Sequence, residues 1–280
     1  MEKQNETPFV DIRSVIRSKS PALERWLPGF IIRYLINILH QDEINHIIAT
    51  YGHHKGIQMA DTIYHYFGIN IDTHGFEQVP EDGRYLFVSN HPLGGLDGAM
   101  LIKVIGEKFK NVKSIVNDFL LYLTPFEEVF VPVNKHGRQT QDYAKRIHDT
   151  YDSDAQIIYF PAGLCSRKVK GQIVDPPWKR NVLQKAVKYR RNIVPVFFSG
   201  QNSPFFYRLA NIRKRLRIPF NLEMLYLSDE AFKKKGAHFD IYFGTPIPYT
   251  SFTPDKSPDF WIGEVRKKVY SLPELSKTNL

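Results

Sequence analysis

Tyr85 to Gly98 reads YLFVSNHPLGGLDG. Its opening run, Tyr85-Leu86-Phe87-Val88, is apolar without alternation, the pattern of a strand buried on both faces. The polar pair Asn90-His91 closes the run, Gly94-Gly95 supply a turn, and Asp97-Gly98 lead into AMLIKVIGEKF, which has helical periodicity. The stretch is therefore strand, turn, helix, with a histidine and a carboxylate on the turn. In open α/β sheets ligands bind at the carboxyl ends of the strands. An imidazole there can take a proton from a hydroxyl, and a carboxylate on its other nitrogen fixes the tautomer. On sequence alone Asp97 is equally placed to cap the helix, and the glycines to be ordinary turn residues.

Outward from this stretch, strands and helices alternate. Ile71 to Val79 precedes it. EVFVPV, ending in the basic turn Asn134-Lys135-His136-Gly137-Arg138, follows it, with a helix over Tyr143 to Tyr151 and the strand QIIYF (Gln156 to Phe160) next. WKRNVLQKAVKYRR reads as an amphipathic helix with a basic face, NIVPVFFSG as a strand, and HFDIYFGTPIPY as a late strand. The spacing predicts an α/β fold with a mostly parallel central sheet flanked by helices. Two short helices, DEINHIIATY and IQMADTIYHYF, end at Gly52 and Gly68. With Trp26 to His40, an apolar segment that either packs on the main body or lies in a lipid headgroup layer, they make residues 1–75 an N-terminal helical extension with a membrane-docking role in view. Residues 76–280 form the main domain. No internal repeat or low-complexity linker divides the chain.

The formal charge of +9 and sequence pI near 9.4 favour anionic partners, either a membrane surface or nucleic acid. The single cysteine, Cys165, excludes an intramolecular disulfide and fits a reducing compartment. Residues 1–20 lack the apolar core of a signal peptide, and no run reaches the ~18 apolar residues of a spanning helix. His46, His53, His54 and His65 fit no metal-ligand spacing, so no metal is expected. Ser203 to Ile218, SPFFYRLANIRKRLRI, sets Phe205 and Phe206 among Arg208, Arg213, Lys214 and Arg215 with no acid. That composition suits an interfacial helix on an anionic bilayer; without a nucleic-acid motif beside it, nucleic acid is the weaker reading.

NHPLGGLDG, VPVNKHGR, FPAGLCSRK and IVPVFF follow one another in that order. Over residues 76–250 the chain thereby resembles the lysophospholipid acyltransferase superfamily, the PlsC-like glycerolipid O-acyltransferases. Two departures stand out. Five residues separate His91 from Asp97 where the superfamily pattern has four, and Ala162 stands where the phosphatidate-making enzymes carry glutamate. Both departures, with Pro177-Trp178-Lys179, are similar to the hemolysin-type branch that makes ornithine and glycine lipids.

That resemblance implies transfer of a fatty acyl group from an acyl carrier protein or coenzyme A thioester to the hydroxyl of a lyso-lipid, an N-(3-hydroxyacyl) amino-acid lipid above all. His91 is the implied general base and Asp97 its orienter. Asn134, Lys135, Arg138, Gly163, Ser166 and Arg167 are the implied substrate contacts, with backbone N–H groups of Gly94-Gly95 or of the Pro161–Gly163 loop as oxyanion donors. No bound cofactor is expected, and the protein is placed in the cytoplasm, peripheral on the inner face of the cytoplasmic membrane. Lysophosphatidate acyltransfer, water as the acceptor, and a non-catalytic basic membrane-binding protein are the rival readings. Cys165, without a recognisable histidine partner, reads as a packing residue rather than a nucleophile.

Overall fold

The computed structural model describes residues 10–133 and 141–278, and the strand at Tyr85–Ser89 lies in the interior of its main sheet. Five helices come first: α1 (Ile12–Lys19), α2 (Pro21–Trp26), α3 (Gly29–Ile38), α4 (Gln41–Tyr51) and α5 (Ile57–Phe67). The alternating part runs β1 (Asn70–His74), β2 (Tyr85–Ser89), α6 (Leu96–Phe109), β3 (Val112–Asn117), β4 (Phe130–Val133), α7 (Gln141–Asp152) and β5 (Gln156–Tyr159). A separate antiparallel hairpin, β6 (Arg167–Val169) and β7 (Gln172–Val174), is followed by α8 (Asn181–Lys188) and β8 (Asn192–Phe198). The chain ends with α9 (Pro204–Arg215), α10 (Leu227–Phe232), β9 (His238–Phe243) and α11 (Pro258–Thr278).

Among the described residues the large sheet has the order β1-β9-β8-β2-β5-β3-β4. Every pairing is parallel except β8 with β9. This is the mostly parallel α/β architecture expected from the alternation. β2 pairs with β5 on one side (Leu86 opposite Ile157) and β8 on the other (Tyr85 opposite Asn192). The chain leaves β2 for β3 on one side and later returns to β8 on the other, so the crevice beyond the end of β2 is a topological switch point.

The unbroken apolar run of β2 is explained by its two faces. Tyr85 and Phe87 enter a core with α5 and α6, where Met59, Met100, Leu101 and Ile105 pack. Leu86 and Val88 enter the opposite core, built by Val182, Leu183 and Ala186 of α8 and Val265 and Val269 of α11. The N-terminal helices α4 and α5 supply Ile47, Met59, Ala60 and Phe67 to the first of these cores.

Two segments differ from the sequence expectation. The apolar stretch 26–40 is not one helix: Pro28, which has no N–H to donate, separates α2 from α3. It is not a core element either, since Ile32 is the buried residue of α3 while Trp26, Phe30 and Tyr34 are exposed. The helix expected over Trp178 to Arg191 is confined to α8. Arg191, read as part of a basic face, is instead fully buried. Its guanidinium donates to the carbonyls of Tyr151 and Ala155 (both 2.7 Å), and of Ser153, Tyr85 and Thr150. One side chain thus ties β2 to the turn between α7 and β5.

Arg191→Met keeps the apolar stem but leaves those carbonyls without their donor, at an expected cost of roughly 3 kcal/mol. Urea unfolding checks this: the midpoint should fall at unchanged slope, and a loss below about 1 kcal/mol would contradict it.

Candidate active site

Three loops meet where β2, β5 and β8 end. Asn90 holds two of these strands together by imitating a strand residue. Its Nδ2 donates to the Phe198 carbonyl (3.0 Å), and the Phe198 N–H donates to its Oδ1 (2.7 Å). His91 follows, with its Nδ1 2.9 Å from Asp97 Oδ2. A carboxylate can only accept, so the proton sits on Nδ1 and Nε2 presents its lone pair. The ring stacks on Phe160, at the end of β5, with centroids 4.0 Å apart and planes 25° apart. The His91 side chain keeps 15% of its surface, whereas that of Asp97 keeps 0%.

Asp97 accepts from Leu93 N (2.9 Å), Gly94 N (3.3 Å), Gly95 N (3.0 Å) and Gly98 N (2.9 Å) as well as from the imidazole. It lies in the first turn of α6, where the helix dipole favours an anion. Burial alone would push its carboxyl up, but the His91 charge, the His91 hydrogen bond and the Leu93 and Gly94 N–H groups more than offset this and hold it below its ordinary value. Gly94 makes the wrap feasible: its φ is +83°, and a Cβ there would lie 2.9 Å from Leu227 and 3.0 Å from Cys165.

His91 and Asp97 are thus brought together as the spacing suggested, with the additional residue absorbed in a turn that closes on the carboxylate. Three of the expected oxyanion donors are otherwise engaged. Gly94 and Gly95 donate to Asp97, and the Gly163 N–H donates to the Phe160 carbonyl (3.0 Å). Ser166 is buried and its hydroxyl donates to Asp175 (2.6 Å), so it is engaged within the protein rather than turned to a substrate anion. Arg167 turns inward to the Cys165 carbonyl (2.7 Å) and to Glu223 (2.9 Å). Asn134, Lys135 and Arg138 lie outside the described residues. Burial raises the Cys165 thiol to about 11, which removes the thiolate a nucleophile needs.

Two residues expected at the membrane surface are corrected as well. Phe206 is fully buried against Cys165 and Tyr207. Arg213 lies 2.9 Å from the buried Glu223, close enough for an ion pair although not aligned for a hydrogen bond. Phe205, Arg208, Lys214 and Arg215 are exposed. Among the described residues no helix is long and apolar enough to cross a membrane. Asp175, which the sequence reading passed over, accepts hydrogen bonds from Ser166, Trp178 and the His91 main chain. The one signal it offered was its place just before the Pro177-Trp178-Lys179 run.

A carboxylate-oriented histidine at the carboxyl end of the central strands of an α/β sheet is an arrangement that can take a proton from a hydroxyl. The chain belongs to the acyltransferase family: residues 14–277 match the family described as Acyltransferase. It is 41% identical over 265 residues to the lyso-glycine lipid O-acyltransferase of Bacteroides thetaiotaomicron, covering 94% of this chain and 97% of that one. With the lyso-glycine lipid O-acyltransferase of Phocaeicola vulgatus it shares 39% identity over 265 residues, covering 94% and 95%. A solved structure, the 1-acyl-sn-glycerophosphate acyltransferase PlsC from Thermotoga maritima, aligns with a TM-score of 0.48 at 17% identity, over 94% of this chain and 91% of that one.

The Asp97 environment sets an acid dependence. Because the folded carboxyl lies below its ordinary 3.8, its contribution to stability is present above that pH and is lost as pH falls through the lower folded value. Asp97→Asn cannot ionise and sets an amide against several donors. It should be less stable at neutral pH and should lose less on acidification. Urea unfolding of both proteins on either side of pH 3.8 reads this, and parallel acid slopes would count against it.

Proposed function

We propose that this enzyme acylates the hydroxyl of a lyso-glycine lipid, using an acyl carrier protein or coenzyme A thioester as donor and no metal or bound cofactor. The observation that carries the acyl-transfer chemistry is the His91–Asp97 pair, with Nδ1 committed to the carboxylate and, among the described residues, no hydrogen bond at Nε2. The acceptor rests on the two relatives, which match nearly end to end. In this reading Nε2 takes the hydroxyl proton as the oxygen attacks the thioester carbonyl. The carbon–sulfur bond breaks, and the departing thiolate takes the proton from the imidazolium, which restores the base. Asp97 stabilises the imidazolium in between.

The protein would work on the inner face of the cytoplasmic membrane. Exposed Phe205, Arg208, Lys214 and Arg215 on α9 combine apolar and cationic groups, as an anionic bilayer requires. Tyr226 links this helix to α3: it meets Phe205 edge to face at 5.0 Å and shares a hydroxyl hydrogen bond with Tyr34. Phe30 and Tyr34 on α3 and Trp26 on α2 are further exposed apolar groups.

Lipid extracts from cells supplied with lyso-glycine lipid test the reaction. Mass spectrometry should find the doubly acylated product with the intact protein and about 1,000-fold less turnover with His91→Ala. Equal product from both proteins would remove His91 from the chemistry, and a change confined to phosphatidate species would replace the acceptor.

Sedimentation with phosphatidylglycerol vesicles tests the surface. Replacing Arg208, Lys214 and Arg215 together by Gln should weaken binding about 100-fold, at ~1 kcal/mol for each charge. Undiminished binding would exclude this face.

A further inference from the structure

We propose that Asp175 is a positioning residue that holds the main chain of His91, and so the place from which its Nε2 works. The inference rests on the acyl-transfer reading above. Asp175 follows β7 and is 3% exposed. Its Oδ1 accepts from the His91 N–H (3.2 Å) and the Ser166 hydroxyl (2.6 Å), and its Oδ2 from the Trp178 indole N–H (2.9 Å). The Ser166 N–H donates to the His91 carbonyl (2.8 Å). Both main-chain polar groups of His91 are therefore bound into one ring with Ser166 and Asp175. Behind it, α11 fixes the Asp175 backbone: the Tyr270 hydroxyl accepts from its N–H (2.9 Å) and Arg266 donates to its carbonyl (3.0 Å).

The chemistry selects a carboxylate at this position. Three donors converge on two oxygens, so an amide would turn an N–H against a donor in either orientation. Burial pushes the Asp175 carboxyl up, while the Ser166, Trp178 and His91 hydrogen bonds hold it back. Among the described residues no cation forms a salt bridge with it, so the anion is stabilised by these donors and by the nearby His91 charge. Packing needs no buried charge here, and keeping one is costly. Division of labour around the base accounts for it. Asp97 and Phe160 fix the orientation of the ring, and Asp175 fixes the backbone that carries it.

The test compares the full chain with Asp175→Asn and with Asp175→Asn/Trp178→Phe. It measures kcat and KM on lyso-glycine lipid, the unfolding midpoint, and the His91 Nδ1–H resonance in protein labelled with nitrogen-15 histidine. Asp175→Asn should lower kcat about 100-fold with KM within about twofold, because a small displacement of a reacting group is enough. Removing the indole donor lets the amide oxygen return to His91, so the double variant should regain about tenfold in kcat although it packs less well. A merely structural role would make the double variant worse in both rate and stability. That result, or a single variant within about threefold of wild-type kcat, or a rise confined to KM, would overturn the proposal. Should wild type leave lyso-glycine lipid untouched, the acceptor reading fails separately. The Nδ1–H resonance then decides: a shift in Asp175→Asn supports positioning and an unchanged signal overturns it. If Asp175→Asn does not fold, Ser166→Ala takes its place. It should lose several-fold in kcat at constant KM, and wild-type kinetics would refute the ring.

Discussion

A carboxylate with no surface of its own survives as an anion only where donors surround it, and Asp97 is surrounded by the imidazole of His91 and the main-chain N–H groups of Leu93, Gly94, Gly95 and Gly98. Those bonds set the path of the turn between β2 and α6. They also set where α6 begins, and α6 packs under the sheet face that receives Phe87. The same anion selects the proton position on His91. Stability and side-chain orientation thus draw on one group: the turn cannot relax without releasing the charge, and the charge cannot be removed without releasing the imidazole.

The parts legible in the sequence were those whose partners are near in the chain or periodic. β2 could be read because burial on both faces leaves an unalternated apolar run, and the His91–Asp97 pair because its members are six positions apart. What escaped was set by distant partners. Asp175 reaches the His91 main chain across 84 positions, and Arg167 reaches Glu223 across 56. A basic residue with a buried acid so far away looks like a free cation, which is why Arg167 read as a substrate contact and Arg213 as a membrane-surface residue. Arg191 was harder still, since its partners are carbonyls with no sequence signature. The β6–β7 hairpin has three residues per strand, too few to show alternation.

The cations of this basic chain fall into two populations. Arg208, Lys214 and Arg215 face solvent along α9, where they contribute to the field an approaching partner meets. Arg167, Arg191 and Arg213 are turned inward and satisfied by protein groups. The formal charge therefore overstates the free positive surface, and the location of the remainder matters more than its sum. It shares α9 with exposed Phe205, so charged and apolar groups stand on one helix.

Glu223 gives this arrangement a consequence for modularity. It is fully buried and serves Arg213 on α9 and Arg167 of the FPAGLCSRK stretch at once. The amphipathic helix is consequently not an interchangeable tether fastened to a finished catalytic body. Exchanging it for another segment would take away one of the two arginines that face this buried carboxylate unless an arginine were restored at the same place. Chimeras between relatives should join outside 203–226, so that helix and counter-ion travel as one inherited unit.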